Sequence, residues 1–441
     1  MGMRKFPWKI WLLVIVLAVS FSGGAAAAAT GQASTAGSGT EPVLRVGLLT
    51  GQASVQVSAP STFVVRDAAT GQGLEKYAAH AAVTLTVRNR QILLNGKAIA
   101  AKAVTVLPAD AKKAPGVELA SRAYRGTLLI RLVGNAYTVI NEVGMEDYLE
   151  GVVPAEMGEN WPAEALKAQA VAARTFALYT RSKHAADGYD VCATTHCQLY
   201  EGIEAETAST HAAIAATRGE ALYYNGQPIY AAFHSSSGGM TAGSDEVWGN
   251  SLPYLRPVQD EDTASPHHHW QVRMTAPQVQ LKLQAAGYQI GILKKVELTP
   301  LVLGAGRTAD RSASGRVQLV RFYGTKGEAS IPGTKMRQIF GLNSTLFDIR
   351  LEIPNVKSID ASMGMTKKEI SANLPAVTET GVTGNLHTLT NKNGEILLFD
   401  GYGLGHGLGL AQWGARAMAA KNDYRAILSH YYTKVELKKL Y

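Results

Sequence analysis

The sequence changes character near residue 146, and this change constrains the fold more than any other feature. Before it, in the section 42–145, short runs of β-branched residues alternate with turn residues. After it, Pro162 precedes an alanine-rich stretch, 163–183, that contains no internal glycine or proline. The first pattern is typical of strands, and the second predicts an amphipathic helix. We therefore expect a mixed α+β fold, in which a strand-rich N-terminal section and this central helix precede a mixed α+β remainder. The remainder belongs to a region spanning 146–441, which includes a glycine-rich C-terminal segment.

Smaller elements follow from turn dipeptides and helical spacing. Asn95-Gly96 and Asn225-Gly226 each separate two β-prone runs and suit the left-handed backbone of a hairpin turn. Strands are also expected across most of 290–355. Further helices are predicted at 207–217, 336–342, 411–421 and 424–431.

The N-terminal segment 1–29 has the pattern of an export signal. Basic residues come first, an apolar run of about a dozen residues follows, and small residues including Ala25–Ala29 end the segment. The apolar run is shorter than the roughly 20 residues that a spanning helix needs. A cleaved signal peptide and an uncleaved membrane anchor both remain open. The Gly/Ser/Thr/Ala-rich stretch 30–41 is predicted to be a linker.

Charge and cysteine content limit the functional classes. The chain has 441 residues, with 43 Lys and Arg against 35 Asp and Glu, a formal net charge of +8. A basic chain favours an anionic partner, and export argues against nucleic acid and towards the cell wall or envelope. The membrane is expected to be involved only through the N-terminal segment. Two cysteines are too few for a disulfide framework.

Glu156 is the first candidate for chemistry. It is a lone acid among apolar residues, and Val152, Val153, Met157 and Trp161 could desolvate it. Desolvation would raise its pKa, as a general acid working near neutral pH requires. The alternative is a surface carboxylate near a helix N-terminus, where the macrodipole favours negative charge.

Two basic residues on the central helix form the second candidate group. Lys167 and Arg174 are seven residues apart, which is two helical turns, so they share one face. That face could point at Glu156 or at an anionic ligand, and solvated surface charge is the alternative. An arginine close to Glu156 would lower the pKa of that acid and oppose an acid role.

Cys192, His196 and Cys197 lie within six residues of one another. Two thiolates and an imidazole can form three corners of a tetrahedral zinc site, with His184 or a water as the fourth. In an exported protein the same two cysteines could instead form a local disulfide or remain free thiols.

Two polar segments complete the candidates. Ser235, Ser236 and Ser237 with the following glycines could line a polar pocket, although serine-rich turns are common and no Gly-x-Ser-x-Gly elbow is present. The segment 403–409 has a glycine at every second position, with His406 inside it and Gln412 after it. This spacing does not match phosphate-binding loops and indicates tight packing or close ligand approach.

Taken together, these motifs resemble the SpoIID/LytB family, the group of stage II sporulation protein D and the amidase enhancers. The resemblance runs from about residue 42 to the C-terminus and rests on several segments in the same order. These segments are Glu146–Met157, Trp161–Thr175, Cys192–Gly202, Ser235–Gly239, Gly341–Phe347 and Gly405–Ala415.

The resemblance implies a peptidoglycan-active protein. Some members are lytic transglycosylases that cleave glycan strands stripped of stem peptides between N-acetylmuramic acid and N-acetylglucosamine. Glu156 matches their catalytic acid/base, Lys167 and Arg174 match nearby basic positions, and the Cys192–Cys197 segment matches one that carries zinc in some members. Other members modify the activity of cell-wall amidases, so a non-catalytic wall-binding enhancer is the alternative. Sporulation and wall remodelling are the processes that the family suggests.

Overall fold

The computed structural model describes residues 39–110, 116–352, 386–390 and 394–441. The predicted signal or anchor, 1–29, lies outside these residues, as does most of the predicted linker, 30–41. Among the described helices, none is long and apolar enough to cross a membrane.

The N-terminal section consists of strands, as the β-branched runs predict. The described strands are β1 (Val43–Gln52), β2 (Ser54–Ser58), β3 (Phe63–Asp67), β4 (Gly73–Tyr77), β5 (Val83–Arg88), β6 (Gln91–Leu94), β7 (Lys97–Ile99), β8 (Ala103–Pro108), β9 (Gly116–Leu119), β10 (Arg122–Arg125), β11 (Thr127–Val133) and β12 (Ala136–Gly144).

The remaining strands lie among the helices. They are β13 (Val191–Cys192), β14 (Glu220–Tyr224), β15 (Gln227–Pro228), β16 (Phe233–His234), β17 (His269–Thr275), β18 (Leu293–Glu297), β19 (Leu319–Gly324), β20 (Gly327–Pro332), β21 (Phe347–Glu352), β22 (Leu386–Thr388), β23 (Ile396–Tyr402), β24 (Leu410–Ala411) and β25 (Glu436–Lys439).

Eight α-helices occur in the described ranges. They are α1 (Met145–Glu156), α2 (Ala163–Thr180), α3 (Ala208–Ala216), α4 (Ser244–Trp248), α5 (Ala276–Ala285), α6 (Gly333–Phe340), α7 (Gln412–Met418) and α8 (Tyr424–Tyr431). The mixed α+β class and the strand-rich N-terminal section are therefore confirmed.

Two sheets form the N-terminal section. One has the order β13-β1-β12-β11-β8-β3-β4, and the other has the order β10-β9-β2-β5-β6-β7. Alternate side chains of both sheets enter one buried apolar core, which also takes up apolar residues of α1 and α2. Because β13 pairs with β1 in parallel, this sheet holds Cys192 beside Gly47. The N-terminal section thus directly supports the segment with the cysteines.

Two further apolar cores lie in the rest of the chain. The first packs α2 against α7 and α8. The second lies between α5 and α6 and the strands of two sheets, β17-β23-β21 and β20-β19-β18-β22. The glycine-rich segment therefore returns to the central helix through α7.

Most predicted elements are present, with shifted ends. α2 begins at the predicted residue but stops at Thr180, three residues before the predicted end. Asn95 and Gly96 both have positive φ between β6 and β7, as the hairpin prediction requires. The second hairpin prediction is only partly right: β14 pairs with the two-residue β15, whereas Phe233 belongs to β16, which pairs with β24.

Three described helices were not predicted: α4, α5 and α1, the last of which ends at Glu156. Gly151, Val152 and Val153 have low helix propensity, and Pro154 cannot donate a helical hydrogen bond. α1 forms because Met145, Tyr148, Leu149, Val152 and Val153 are all buried against the N-terminal sheets. Tertiary packing thus outweighs local propensity, and Pro154 lies in the last turn of the helix.

Candidate active site

Glu156 is the last residue of α1 and is half-buried. Burial raises the pKa of its carboxyl, whereas the backbone N–H of Leu199 and the side chain of Gln412 partly oppose that rise. Helix C-termini favour positive charge, so this position also disfavours a carboxylate. The alternative of a carboxylate stabilised by a helix N-terminus therefore does not fit, and Glu156 has the environment of a proton donor.

A short parallel strand pair brings the serine segment and the glycine-rich segment together. Phe233 pairs with Leu410 and His234 with Ala411. The next residues along each chain are Ser235 and Gln412, and the backbone N–H of Trp413 donates to the Ser235 carbonyl at 3.1 Å. Gln412 also acts on Glu156, so this strand pair connects the serine segment to the acid through the residue that precedes Trp413.

The Gln412 amide lies beside the acid, near enough to lower the pKa of Glu156 but without a close hydrogen bond to it. The Gln412 side chain is only 6% exposed, and Nε2 has no hydrogen-bond partner among the described residues. A buried amide without a partner is costly, and a bound ligand with an acceptor would relieve that cost. The predicted role of Gln412 in substrate binding is consistent with this placement.

Aromatic side chains stand next to Gln412. The rings of Trp161 and Trp413 meet edge to face with centroids 5.2 Å apart. The guanidinium of Arg416 lies over both rings, 5.4 Å and 4.8 Å from their centroids. The three side chains thus form one aromatic and cationic cluster next to Gln412.

The glycine ribbon, defined as residues 403–409, packs closely against the rest of the site. A Cβ on Gly405 would lie 2.8 Å from Cβ of His234, and one on Gly407 would lie 2.4 Å from Cζ of Arg316. Both glycines have positive φ, so only glycine fits without strain. The alternating glycines thus serve close packing of protein on protein.

His406 lies against a second histidine, His234, with ring centroids 5.4 Å apart. Nδ1 of His406 accepts from the Leu408 N–H at 3.0 Å, and Nδ1 of His234 donates to the Leu408 carbonyl at 3.0 Å. Burial, with smaller contributions from Arg337 and Arg316, lowers the pKa of His406 to about 4. His406 is therefore neutral at physiological pH and suits polar contact rather than charge pairing.

Arg174 is not available to a substrate, which corrects the prediction. It is fully buried and pairs with Glu146, with Nε–Oε1 at 2.9 Å and Nη2–Oε2 at 2.6 Å. Its Nη1 donates to the Glu220 carbonyl at 3.0 Å. The concern that Arg174 would lower the pKa of Glu156 also disappears, because the arginine serves a different acid.

Lys167 lies on the part of α2 that faces α8. Its Nζ is 2.6 Å from Oε1 of Glu164, one turn earlier, and 5.9 Å from the ring centroid of Tyr424. Both charged side chains are about one-quarter exposed. The structure thus pairs Lys167 with Glu164, and its predicted role in substrate binding stays a prediction.

Of the three serines, only Ser235 is partly exposed. Ser236 and Ser237 are 1% and 0% exposed, and they donate to the carboxylates of Asp262 and Asp260, respectively. Their predicted contact with substrate is therefore wrong: they are structural, since their hydroxyls are used within the protein.

The predicted metal ligands form one cluster. The donor atoms of His184, Cys192, His196 and Cys197 all lie within 4.8 Å of one another. Cys192 Sγ is 3.6 Å from His196 Nδ1, close to the roughly 3.5 Å between donors of a tetrahedral zinc. The two cysteines are free rather than joined in a disulfide.

His184 is placed as a ligand should be. Its Nδ1 is 3.0 Å from the Asp187 carboxylate, which leaves Nε2 for a metal. That Nε2 is buried and has no hydrogen-bond partner among the described residues. The hydrogen bond with Cys197 lowers the pKa of the Cys192 thiol, so a thiolate forms readily. The donor set fits zinc.

Comparison of the sequence with those of known proteins points to one family. The sequence profile described as Stage II sporulation protein, SpoIID, matches residues 133–224. Individual relatives match a much longer part of the chain than this segment. The chain is 31% identical to the amidase enhancer of Bacillus subtilis over 304 residues, 64% of this chain and 39% of that protein.

The chain belongs to the SpoIID/LytB family. It is also 27% identical to the stage II sporulation protein D of Bacillus amyloliquefaciens, over 68% of this chain and 76% of that protein. An uncharacterized protein of Brachyspira hyodysenteriae is 29% identical over 73% of this chain and 74% of its own length.

The part of the chain that matches the SpoIID profile includes Glu156 and all four residues of the cysteine–histidine cluster. The serine segment and the glycine ribbon lie outside it. Sequence reasoning gave no role to His234 or Trp413, and it named Trp161 only as a residue that could desolvate Glu156. Trp413 directly follows Gln412, and that adjacency was the available signal.

Proposed function

We propose that this SpoIID/LytB protein is an exported lytic transglycosylase that cleaves peptidoglycan glycan strands between N-acetylmuramic acid and N-acetylglucosamine. The observation that supports it most is the environment of Glu156: a carboxyl with a raised pKa near the amide of Gln412, which is followed by Trp413 of the Trp161–Trp413 pair. Membership of the family and the names of its relatives support a role in the cell wall, in sporulation or wall remodelling.

One carboxyl is enough for this reaction. Protonated Glu156 donates its proton to the glycosidic oxygen as the bond to the anomeric carbon breaks. The resulting carboxylate then takes the proton of the sugar's own 6-hydroxyl, whose oxygen attacks the anomeric carbon and closes a 1,6-anhydro ring. No water is consumed, so the second carboxylate of a hydrolytic glycosidase is unnecessary. The nucleophile belongs to the substrate and is already close.

Product analysis tests the proposal. The purified protein is incubated with glycan strands freed of stem peptides, and the products are identified by mass spectrometry. Products with 1,6-anhydro ends support the proposal. Hydrolysed ends, heavier by one water, would assign a different reaction to the same acid.

A second function is favoured by one comparison. The relative with 31% identity carries the name amidase enhancer, so this chain could instead bind the wall and stimulate a cell-wall amidase. Strand binding with faster amidase turnover and no anhydro products would favour that function.

The pH dependence of cleavage provides a separate prediction. Because burial raises the pKa of Glu156, its proton is retained above the ordinary Glu pKa of about 4.3. We expect the rate to fall as pH rises through the raised pKa, with the midpoint above about 4.3. Single-turnover rates on defined strands between pH 4 and pH 9 measure it. A rate that keeps rising throughout this range would contradict the acid role.

We also propose that His184, Cys192, His196 and Cys197 bind one zinc ion. Bound there, zinc would crosslink the segment after α2, because thiolate-rich sites usually serve structure. Cys192 is anchored to β1 through β13, so the ion would join that segment to the N-terminal sheet.

Metal analysis tests the zinc site. We expect about one zinc per chain in the purified protein, and loss of the metal with a lower melting temperature in Cys192→Ser. His80→Asn, a change at an exposed histidine outside the cluster, serves as the control and should keep the metal. An intact mass two daltons lower, with no bound metal, would show a disulfide instead.

A further inference from the structure

A cleft of about 400 Å³ opens on the side of the glycine ribbon where His406 lies. Its polar lining includes Glu246, Gln318, Thr334, Arg337, Asn343 and His406. Ligand pockets of proteins typically measure about 300–1,000 Å³, so this cleft can hold one substituted sugar ring. It shares His406 with the candidate active site.

Arg337 is the unusual residue in this cleft. Its Nε donates to the Leu342 carbonyl at 3.3 Å, and it makes no ion pair with a described residue. Burial lowers the pKa of its guanidinium, which means that the charge is poorly solvated. A desolvated cation without a counterion is unfavourable, and an anionic ligand would relieve that cost.

A second guanidinium lies behind the ribbon, against Gly407. Arg316 is 1% exposed and donates from Nη2 to the carbonyls of Ser237 and Met240, at 2.9 Å and 3.1 Å. Its Nε and Nη1 are buried without a hydrogen-bond partner within the described ranges. Two guanidinium groups therefore act on His406, neither of them in an ion pair with a described carboxylate, and of the two only Arg337 lines the cleft.

The charges that face the cleft indicate how much negative charge it can accept. Glu246 is the carboxylate in the lining, and it is held by the Ser314 backbone N–H at 3.2 Å and by the Ser314 hydroxyl. Glu246 and Asp262 both act on Arg316 over a distance. His406 is neutral, so Arg337 is the cation of the lining that no described carboxylate pairs with. One such cation suits a monoanion better than a doubly charged phosphate.

We propose that this cleft is a subsite for the carboxylate of an acidic sugar, with Arg337 as the pairing group. The proposal rests on the proposed function, because a muramyl residue is the acidic sugar in the strand. Its lactyl carboxylate is charged only when no peptide is attached. The planar guanidinium matches a carboxylate with two parallel hydrogen bonds, and the amides of Asn343 and Gln318 can hold neutral groups of the same ring.

Calorimetric titration of the full-length chain with N-acetylmuramic acid tests the subsite. We expect the methyl ester of this sugar, and N-acetylglucosamine, to bind at least about tenfold more weakly, because each lacks the charged hydrogen-bond acceptor. Arg337→Gln should weaken binding of the acid by a similar factor and leave binding of the ester unchanged. Lys335→Gln is the matched control, since it removes the same charge from an exposed position on α6.

Several outcomes overturn the proposal. Equal binding of the acid and its ester by the unmodified protein would show that the carboxylate is not recognised, even if Arg337→Gln fails to fold. Binding of inorganic phosphate more tightly than N-acetylmuramic acid would show that the cleft prefers phosphate. Binding of lactate as tightly as N-acetylmuramic acid would show that the sugar ring is not recognised. Glu156→Gln separates the two proposals, because it should lose cleavage but bind N-acetylmuramic acid normally. If the unmodified protein binds this sugar normally but cleaves no strand, the subsite is supported and the proposed enzymatic function is not.

Discussion

Replacing Glu156 with glutamine should lower the rate of strand cleavage by about 10²- to 10⁴-fold, the usual contribution of a general acid. Glutamine keeps the size of the side chain but cannot donate a proton to the glycosidic oxygen or receive one from the 6-hydroxyl. The measurement is the amount of anhydro product formed per unit time from strands free of stem peptides. Binding of the strands should change little, because the Trp161–Trp413 pair and Gln412 stay in place.

Glu159→Gln is the control for this variant. Glu159 lies three residues further along the chain and is exposed, so the same chemical change there should leave the rate within about twofold of the unmodified protein. Unchanged cleavage by Glu156→Gln would remove the acid/base role. A loss of equal size in both variants would indicate an effect on stability rather than on chemistry.

Replacing Arg174 with methionine should lower the free energy of unfolding by about 3–5 kcal/mol, because it leaves the Glu146 carboxylate buried without its partner. Glu146 is 7% exposed, and its other contacts are the Gly219 N–H at 3.2 Å and the Tyr441 hydroxyl at 2.5 Å. Denaturant titration measures the loss. The double variant Arg174→Met with Glu146→Gln should recover part of it, since the unpaired charge is then absent.

The pH dependence of this loss has a definite sign. Burial raises the pKa of Glu146, but Arg174, Tyr441 and Gly219 together outweigh burial and hold the pKa below its ordinary value. A lowered pKa in the folded state gives stability that is present above the unfolded-state pKa and declines as pH falls through the folded-state pKa. The difference between the unmodified protein and Arg174→Met should therefore shrink in acid.

Lys167→Met is the comparison on the same helix. Lys167 makes a partly exposed ion pair with Glu164, and such pairs contribute only about 0–1 kcal/mol. A loss for Arg174→Met no larger than that for Lys167→Met would contradict the structural role assigned to the buried pair. Slower cleavage by a normally stable Lys167→Met would support the predicted contact of Lys167 with substrate.

The sequence predicted the elements whose patterns are local. The start of α2 was predicted because Pro162 fixes the backbone of the first turn, and the turn at Asn95-Gly96 was predicted because those residue types tolerate positive φ. α1 was not, since its residues favour other conformations and only burial against the sheets makes them helical. Local patterns contain no information about that burial.

The contrast between local patterns and burial set by the fold also explains which site residues were predicted correctly. The cysteine–histidine cluster was predicted because three of its residues are close in sequence, and His184 joins them through the fold. The roles of Arg174, Ser236 and Ser237 were predicted wrongly because exposure was assumed for polar side chains. Their partners Glu146, Asp262 and Asp260 lie 23 to 28 residues away in sequence, and no local pattern connects them.

The pairing of β16 with β24 has a consequence for when the protein can act. His234 and Leu408 are 174 residues apart in sequence, and closing such a separation is slow compared with forming a helix or a hairpin. While the polypeptide is still being synthesised, the region after residue 403 is missing and Glu156 has no Gln412 beside it. Under the proposed function, an incomplete chain therefore lacks a competent centre, and cleavage begins only when synthesis is nearly finished.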